Sequence, residues 1–187
     1  MRARRALWTK LGLLAAAVAT ATLGLAPLAA ADASPDSSIR TIAPPSAFRS
    51  TIERMQRHTA IAILLPAKIR IEEPRGRGVE INWHASKRAW SIALGIGPRC
   101  GGANACFVGA FSARRGGKPA FRRKVSLHGG TTGWFKRSSC GASCAPPEIQ
   151  WVDNGVLYAI QMVEAGPGSD RRKLVALANS ALAGGPR

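Results

Sequence analysis

Glu148-Ile-Gln-Trp-Val-Asp-Asn-Gly-Val-Leu-Tyr-Ala-Ile-Gln-Met162 decides the fold of this chain. Two apolar, β-branched and aromatic runs flank Asp153-Asn154-Gly155, and Asn-Gly between alternating runs is the strongest short-range signal for a β-hairpin. Trp151 and Tyr158 fall opposite each other across such a hairpin, which makes them cross-strand core partners.

Toward the C-terminus, Gly166-Pro-Gly168 ends the sheet. Ser169 or Asp170 then caps a helix on which Leu174, Leu177, Ala178, Ala181 and Leu182 share one face, before Gly184-Gly185-Pro186 stops it. Toward the N-terminus the signals are again those of strands. Val79, Ile81 and Trp83 alternate with polar residues, and Trp90, Ile92, Leu94 and Ile96 alternate up to Gly97-Pro98. Phe107 to Ala113, Arg122 to Leu127 and Thr131 to Lys136 follow, divided by Gly116-Gly117, Pro119 and Gly129-Gly130. Arg75-Gly-Arg-Gly78 reads as a turn.

Further upstream, Ala60-Ile-Ala-Ile-Leu-Leu65 is a short apolar run halted by Pro66, which suits a buried strand. Ser46 to His58 predicts a short helix, with Phe48, Ile52 and Met55 on one side and capping-box spacing at Ser50…Glu53. The expected fold class is α+β. A single antiparallel sheet, a meander of about six to seven strands, is covered by the C-terminal helix and the short N-terminal helix.

The first residues belong to another kind of segment. Met-Arg-Ala-Arg-Arg, Lys10, an apolar run from Leu11 to Leu28 and small residues at Ala29-Ala30-Ala31 are the three parts of a cleavable secretory signal. Cleavage after Ala31 or after Ala33 fits equally well. The run has the roughly 18 residues of a membrane span, but Gly24 and Pro27 interrupt it and Ala dominates it. Arg4-Arg5 carries part of a twin-arginine pattern. The expected organisation is a signal over 1–31, a disordered Ser/Pro/Asp/Ala spacer over 32–45 and one domain over 46–187. The mature part, about 155 residues, is long enough for its own core.

The chain carries a formal net charge of +17, with 20 arginines to 7 lysines. From Ile81 to Pro147 it has no Asp or Glu, yet that stretch holds eleven cations. Arg114, Arg115, Lys118, Arg122, Arg123, Lys124, Lys136 and Arg137, with Trp134 interleaved, form the candidate polyanion-binding set. In an exported protein the available polyanions are lipid phosphates and envelope polymers. The export signal argues against nucleic acid, whatever the charge. An envelope protein is the other expected partner, and the mature chain is not an integral membrane protein.

Cys100, Cys106, Cys140 and Cys144 all follow the signal. An even count in an exported chain predicts two disulfides, and sequence leaves the three pairings open, although Cys100–Cys106 and Cys140–Cys144 would each close a short Gly/Ala-rich loop. A four-thiolate zinc site is the rival, but its usual C-x2-C spacing is absent.

Cys100-Gly-Gly-Ala-Asn-Ala-Cys106, Gly133-Trp-Phe135, Cys140-Gly-Ala-Ser-Cys144, Ile149-x-Trp151, Asn154-Gly155, Tyr158 and Leu174-Val-x-Leu-Ala-Asn-Ser180 occur in a fixed order. In this the chain resembles a family of exported bacterial proteins of unknown function with paired C-x5-C and C-x3-C loops. Its tail is similar to a broader domain of unknown function found in lipoproteins and anti-sigma-factor ectodomains. The likeness runs from about Pro66 to the C-terminus. It implies a fold but no activity and no catalytic residue, and the Arg-rich inserts at Arg114-Arg115 and Arg122–Lys124 depart from it.

Catalytic signatures are thin. His58, His84 and His128 are scattered with no metal-binding spacing, Gly-x-Ser-x-Gly is absent, and Glu72-Glu73 would face opposite sides of a strand. The sequence therefore assigns no catalytic, cofactor or metal residues. It predicts a non-catalytic, exported basic binding module, with a small hydrolase or a sensor-like ectodomain as alternatives.

Overall fold

A computed structural model of the protein describes residues 37–74, 77–97, 106–141 and 143–187. The predicted signal, the first part of the predicted spacer and Cys100 lie outside the described residues. In chain order come β1 (Ser37–Ile42), the single turn α1 (Pro44–Ala47), α2 (Arg49–Gln56) and β2 (Ile69–Pro74). The main series is β3 (Val79–Ala85), β4 (Ala89–Ile96), β5 (Phe107–Arg115), β6 (Arg123–Ser126) and β7 (Thr132–Lys136). The short strands β8 (Ser139–Cys140) and β9 (Cys144–Ala145) precede β10 (Glu148–Asp153), β11 (Val156–Met162) and the closing helix α3 (Asp170–Gly184).

Seven strands form one antiparallel sheet in the order β3-β4-β5-β11-β10-β7-β6. The α+β character and the C-terminal helix agree with the sequence. Two details need correcting. The sheet is not alone, because β1-β2 and β8-β9 form separate two-stranded pairs. Nor is it a meander, since β11 sits beside β5 and the β6-β7 pair lies at the far edge. The apolar β10–β11 hairpin takes the centre, while the four-residue, charged β6 takes an edge, where short charged strands resist further pairing.

Register explains the core. Trp90, Ala113, Tyr158, Trp151, Gly133 and Val125 are successive cross-strand neighbours in one row. Ile92, Phe111, Ile160, Ile149 and Phe135 make the next. Both rows are buried with Leu174, Leu177, Ala178 and Ala181 of α3 and with Ile52 and Met55 of α2. Ser169 caps α3, its Oγ accepting from the Arg172 amide at 3.4 Å.

Three local expectations are overturned. Residues 37–45, expected as disordered spacer, hold β1 and the start of α1. The ladder runs from Ile42 opposite Ile69 to Ser37 opposite Pro74. A polar strand gains its order there from backbone pairing and from the Arg40–Glu73 ion pair at 3.0 Å rather than from burial. In residues 60–65, Ile61, Ile63, Leu64 and Leu65 are buried, but the run forms no strand. Their carbonyls are met by side chains and the chain end instead: Trp90 Nε1 and Tyr158 Oη both donate to Ala62 O at 3.2 Å, and the Arg187 amide donates to Ile63 O at 3.1 Å. The predicted 46–58 helix starts at Pro44 and breaks at Phe48 (φ −106°, ψ 15°), so Phe48 precedes α2 and the Ser50…Glu53 box does not cap it.

Candidate anion-binding surface

Period-2 alternation in the strands divides the basic set between the two faces of the sheet. On the face opposite the helices, Lys124, Trp134, Gln150, Ala159, Ser112, Ser91 and His84 form one cross-strand row. Lys136 lies in the next row opposite Glu148, and Arg114 pairs with Leu157 and Ala89. This outer face is small and polar at its centre and cationic toward β6 and β7.

The segment between β5 and β6 crosses this face. Gly117 comes so close to Leu157 that an added Cβ would sit 2.8 Å from the Leu157 Cβ. Farther along, the Ala120 amide donates to Gln150 Oε1 at 2.8 Å, and the Phe121 ring lies 5.8 Å from Lys136 Nζ. Lys118 and Arg122 ride on this segment, exposed. Gln150 Nε2 in turn donates to Glu148 Oε1 at 2.7 Å, so that carboxylate is engaged with its own strand. Trp134 is half-buried beside the exposed Lys124.

Arg115, Arg123 and Arg137 do not join this group. Arg123 is opposite Phe135, on the helix-bearing face, and its guanidinium stacks 5.9 Å from that ring. Arg137 follows Phe135 at the same parity. Arg115 ends β5 beside the hairpin turn, where a cavity of about 390 Å³ is lined by Arg115, Asp153, Tyr158 and Ala62. The structure thus gathers Arg114, Lys124, Trp134 and Lys136 on one face, brings Lys118 and Arg122 to it on the crossing segment, and sends three predicted members elsewhere. None of the eight predicted cations makes an ion pair with a described carboxylate.

Phe121 and Gln150 are the members that sequence reading missed. Phe121 stands directly before Arg122-Arg123-Lys124, and an aromatic leading a basic run was the available signal. Gln150 carried none, because its role depends on a loop arriving from another part of the chain.

Tyr158 is pushed up to about 12, first by burial and then by Asp153, with Arg115 acting in the opposite direction. Its proton is already given to Ala62 O. His58 lies against Trp83 with ring centres 6.2 Å apart, whereas His84 is on β3 and His128 in the turn before β7. Among the described residues no group of three or more His, Cys, Asp or Glu is placed to hold a metal. Cys140 and Cys144 form a disulfide that closes the β8–β9 turn, and Cys106 is also disulfide-bonded, so these sulfurs are not available as zinc thiolates. Among the described residues no helix is long and apolar enough to cross a membrane. No protein-family model, curated protein or solved structure matches the chain.

Proposed function

We propose that the protein is an exported, non-catalytic binding module whose helix-free sheet face holds an anionic envelope surface, either a lipid headgroup layer or a charged polymer. The observation that carries this reading is the placing of Lys124 beside Trp134 and of Lys136 in the next row, with Arg114 on the same sheet face and no ion pair from any of them to a described carboxylate. Unpaired cations on one face attract a polyanion over a Debye length of about 8 Å at physiological salt. The half-buried Trp134 ring adds an apolar plate against which a sugar or acyl chain can pack. The N-terminal signal pattern and the Cys140–Cys144 disulfide support export to an oxidising compartment.

Co-sedimentation of the oxidised protein with phosphatidylglycerol vesicles, peptidoglycan and neutral vesicles, across a salt series, tests the proposal. Binding to an anionic fraction that falls steeply with salt is the expected result. Each Lys near an anionic surface contributes about 1 kcal/mol, so Lys124→Gln with Lys136→Gln should weaken binding about thirtyfold. Absence of binding to either anionic fraction at low salt would return the charge to a compositional role. A saturable, salt-insensitive interaction with one acidic envelope protein would move the reading to a protein partner.

A further inference from the structure

Four arginines meet where the edge strand β6 runs beside the first turn of α3. Arg123 comes from β6, Arg137 from the end of β7, and Arg171 and Arg172 from α3. Arg123, Arg137 and Arg171 line a cleft of about 350 Å³ together with Ser138 and Asp170. Arg171 and Arg172 line an adjoining cleft of about 410 Å³ beside Val125 and Ser126. Ser169 and Arg171 belong to both, which makes them one groove.

All four guanidiniums are exposed, and none forms an ion pair with a described carboxylate, Asp170 included. Asp170 instead accepts from Ser138 Oγ at 3.5 Å. Of the first-turn amides of α3, the Arg172 N–H is already taken by the Ser169 Oγ. The side chains of three separate elements set four cations against one carboxylate in the groove. Phe135 lies under Arg123 and limits the directions in which that guanidinium can point.

We propose that this groove is a phosphoryl-binding site, in which Arg123, Arg137 and Arg171 hold the tetrahedral oxyanion of a phosphate ester. Guanidinium is a planar fork that donates two parallel hydrogen bonds to a phosphate, so three forks from different directions can satisfy its oxygens together. The small cleft suits a compact anion rather than a polymer strand. The site goes beyond the surface reading. It lies on the helix-bearing side of the sheet and shares no residue with the outer-face group.

The test is titration of the full oxidised chain with inorganic phosphate, followed through the arginine Nε–Hε resonances, with chloride at matched ionic strength as control. Saturable shifts at Arg123, Arg137 and Arg171 with phosphate alone are expected. Arg137→Gln and Arg171→Gln should each weaken binding by about tenfold, the scale of one charged hydrogen bond. Arg137→Lys keeps the charge but loses the fork, and should weaken binding as well. Lys124→Gln with Lys136→Gln should leave the phosphate affinity unchanged, whether or not it abolishes binding to anionic surfaces. In that double-variant background, glycerol phosphate and phosphatidate vesicles distinguish a soluble ester from a lipid headgroup, the tighter of the two naming the source. Shifts that do not saturate, shifts matched by chloride, or unaltered affinity in both Gln variants at unchanged melting temperature would overturn the site.

Discussion

Tyr158 shows how one side chain links the sheet to the segment that covers it. Its ring stacks on Trp151 with centres 5.5 Å apart and planes 15° apart, and its hydroxyl donates to Ala62 O. Trp90 Nε1 donates to the same carbonyl, so two aromatics of one cross-strand row hold residues 60–65 in place without a strand ladder. Burial favours the neutral phenol, which puts its folded-state pKa near 12 against an ordinary value of 10.0. A proton bound more tightly in the folded state gives stability that is complete below pH 10 and is lost as pH rises toward 12. Tyr158 is the chain's single tyrosine, so ultraviolet absorbance reads it without interference. The tyrosinate band should appear near pH 12 in the folded protein and near pH 10 in urea. A folded-state midpoint near 10 would mean that the ring is not enclosed. Tyr158→Phe should cost about 1 kcal/mol, the scale of one net hydrogen bond, because Ala62 O keeps the Trp90 donor.

At the level of elements, the β10–β11 hairpin depends on its two-residue turn. Asn154 (φ 48°) and Gly155 (φ 73°) are both in the left-handed region, as a type I′ turn requires. A Cβ at Gly155 would meet nothing within 4 Å, so Gly155→Ala isolates the backbone cost. That cost is about 1–2 kcal/mol, which at about 2–4 °C per kcal/mol in a chain of this size is visible in a thermal melt. An unchanged melting temperature would show that the turn adopts another type. This hairpin was legible in the sequence because its signal is local. The alternation in β3 and β4 was legible for the same reason, since one face of β4 is buried and the matching face of β3 is partly so. Residues 60–65 misled because an apolar run reports burial and says nothing of pairing. β1 and β2 were missed because each depends on a partner about 30 residues away, and Arg40–Glu73 cannot be seen in either strand alone. The order of the sheet is likewise non-local. The site was half legible. Val125 faces the core, so alternation already sends Lys124 outward and Arg123 inward, but the arrival of α3 beside Arg123 is a property of the topology.

Over the whole molecule, the distribution of charge is the quantity that stability and binding share. Among the described residues the ion pairs are Arg40–Glu73 at 3.0 Å and Arg70–Glu164 at 3.6 Å, and both lie outside the acid-free stretch. The described cations of that stretch form no ion pair with a described carboxylate, and the self-repulsion of an excess of like charges weakens the compact state. Neutralising Lys118, Lys124 and Lys136 together to Gln should therefore raise stability at low salt by about 1 kcal/mol, or about 2–4 °C in melting temperature. Added salt should raise the melting temperature of the parent chain and move the variant less, because screening removes the same repulsion. The variant should at the same time lose its affinity for anionic vesicles. Opposite movement of stability and binding is what a surface kept cationic for a ligand produces, since the repulsion is relieved when the ligand arrives. If the triple variant melts lower than the parent at low salt, these lysines stabilise the fold. Their placement would then belong to the architecture of the outer face rather than to recognition.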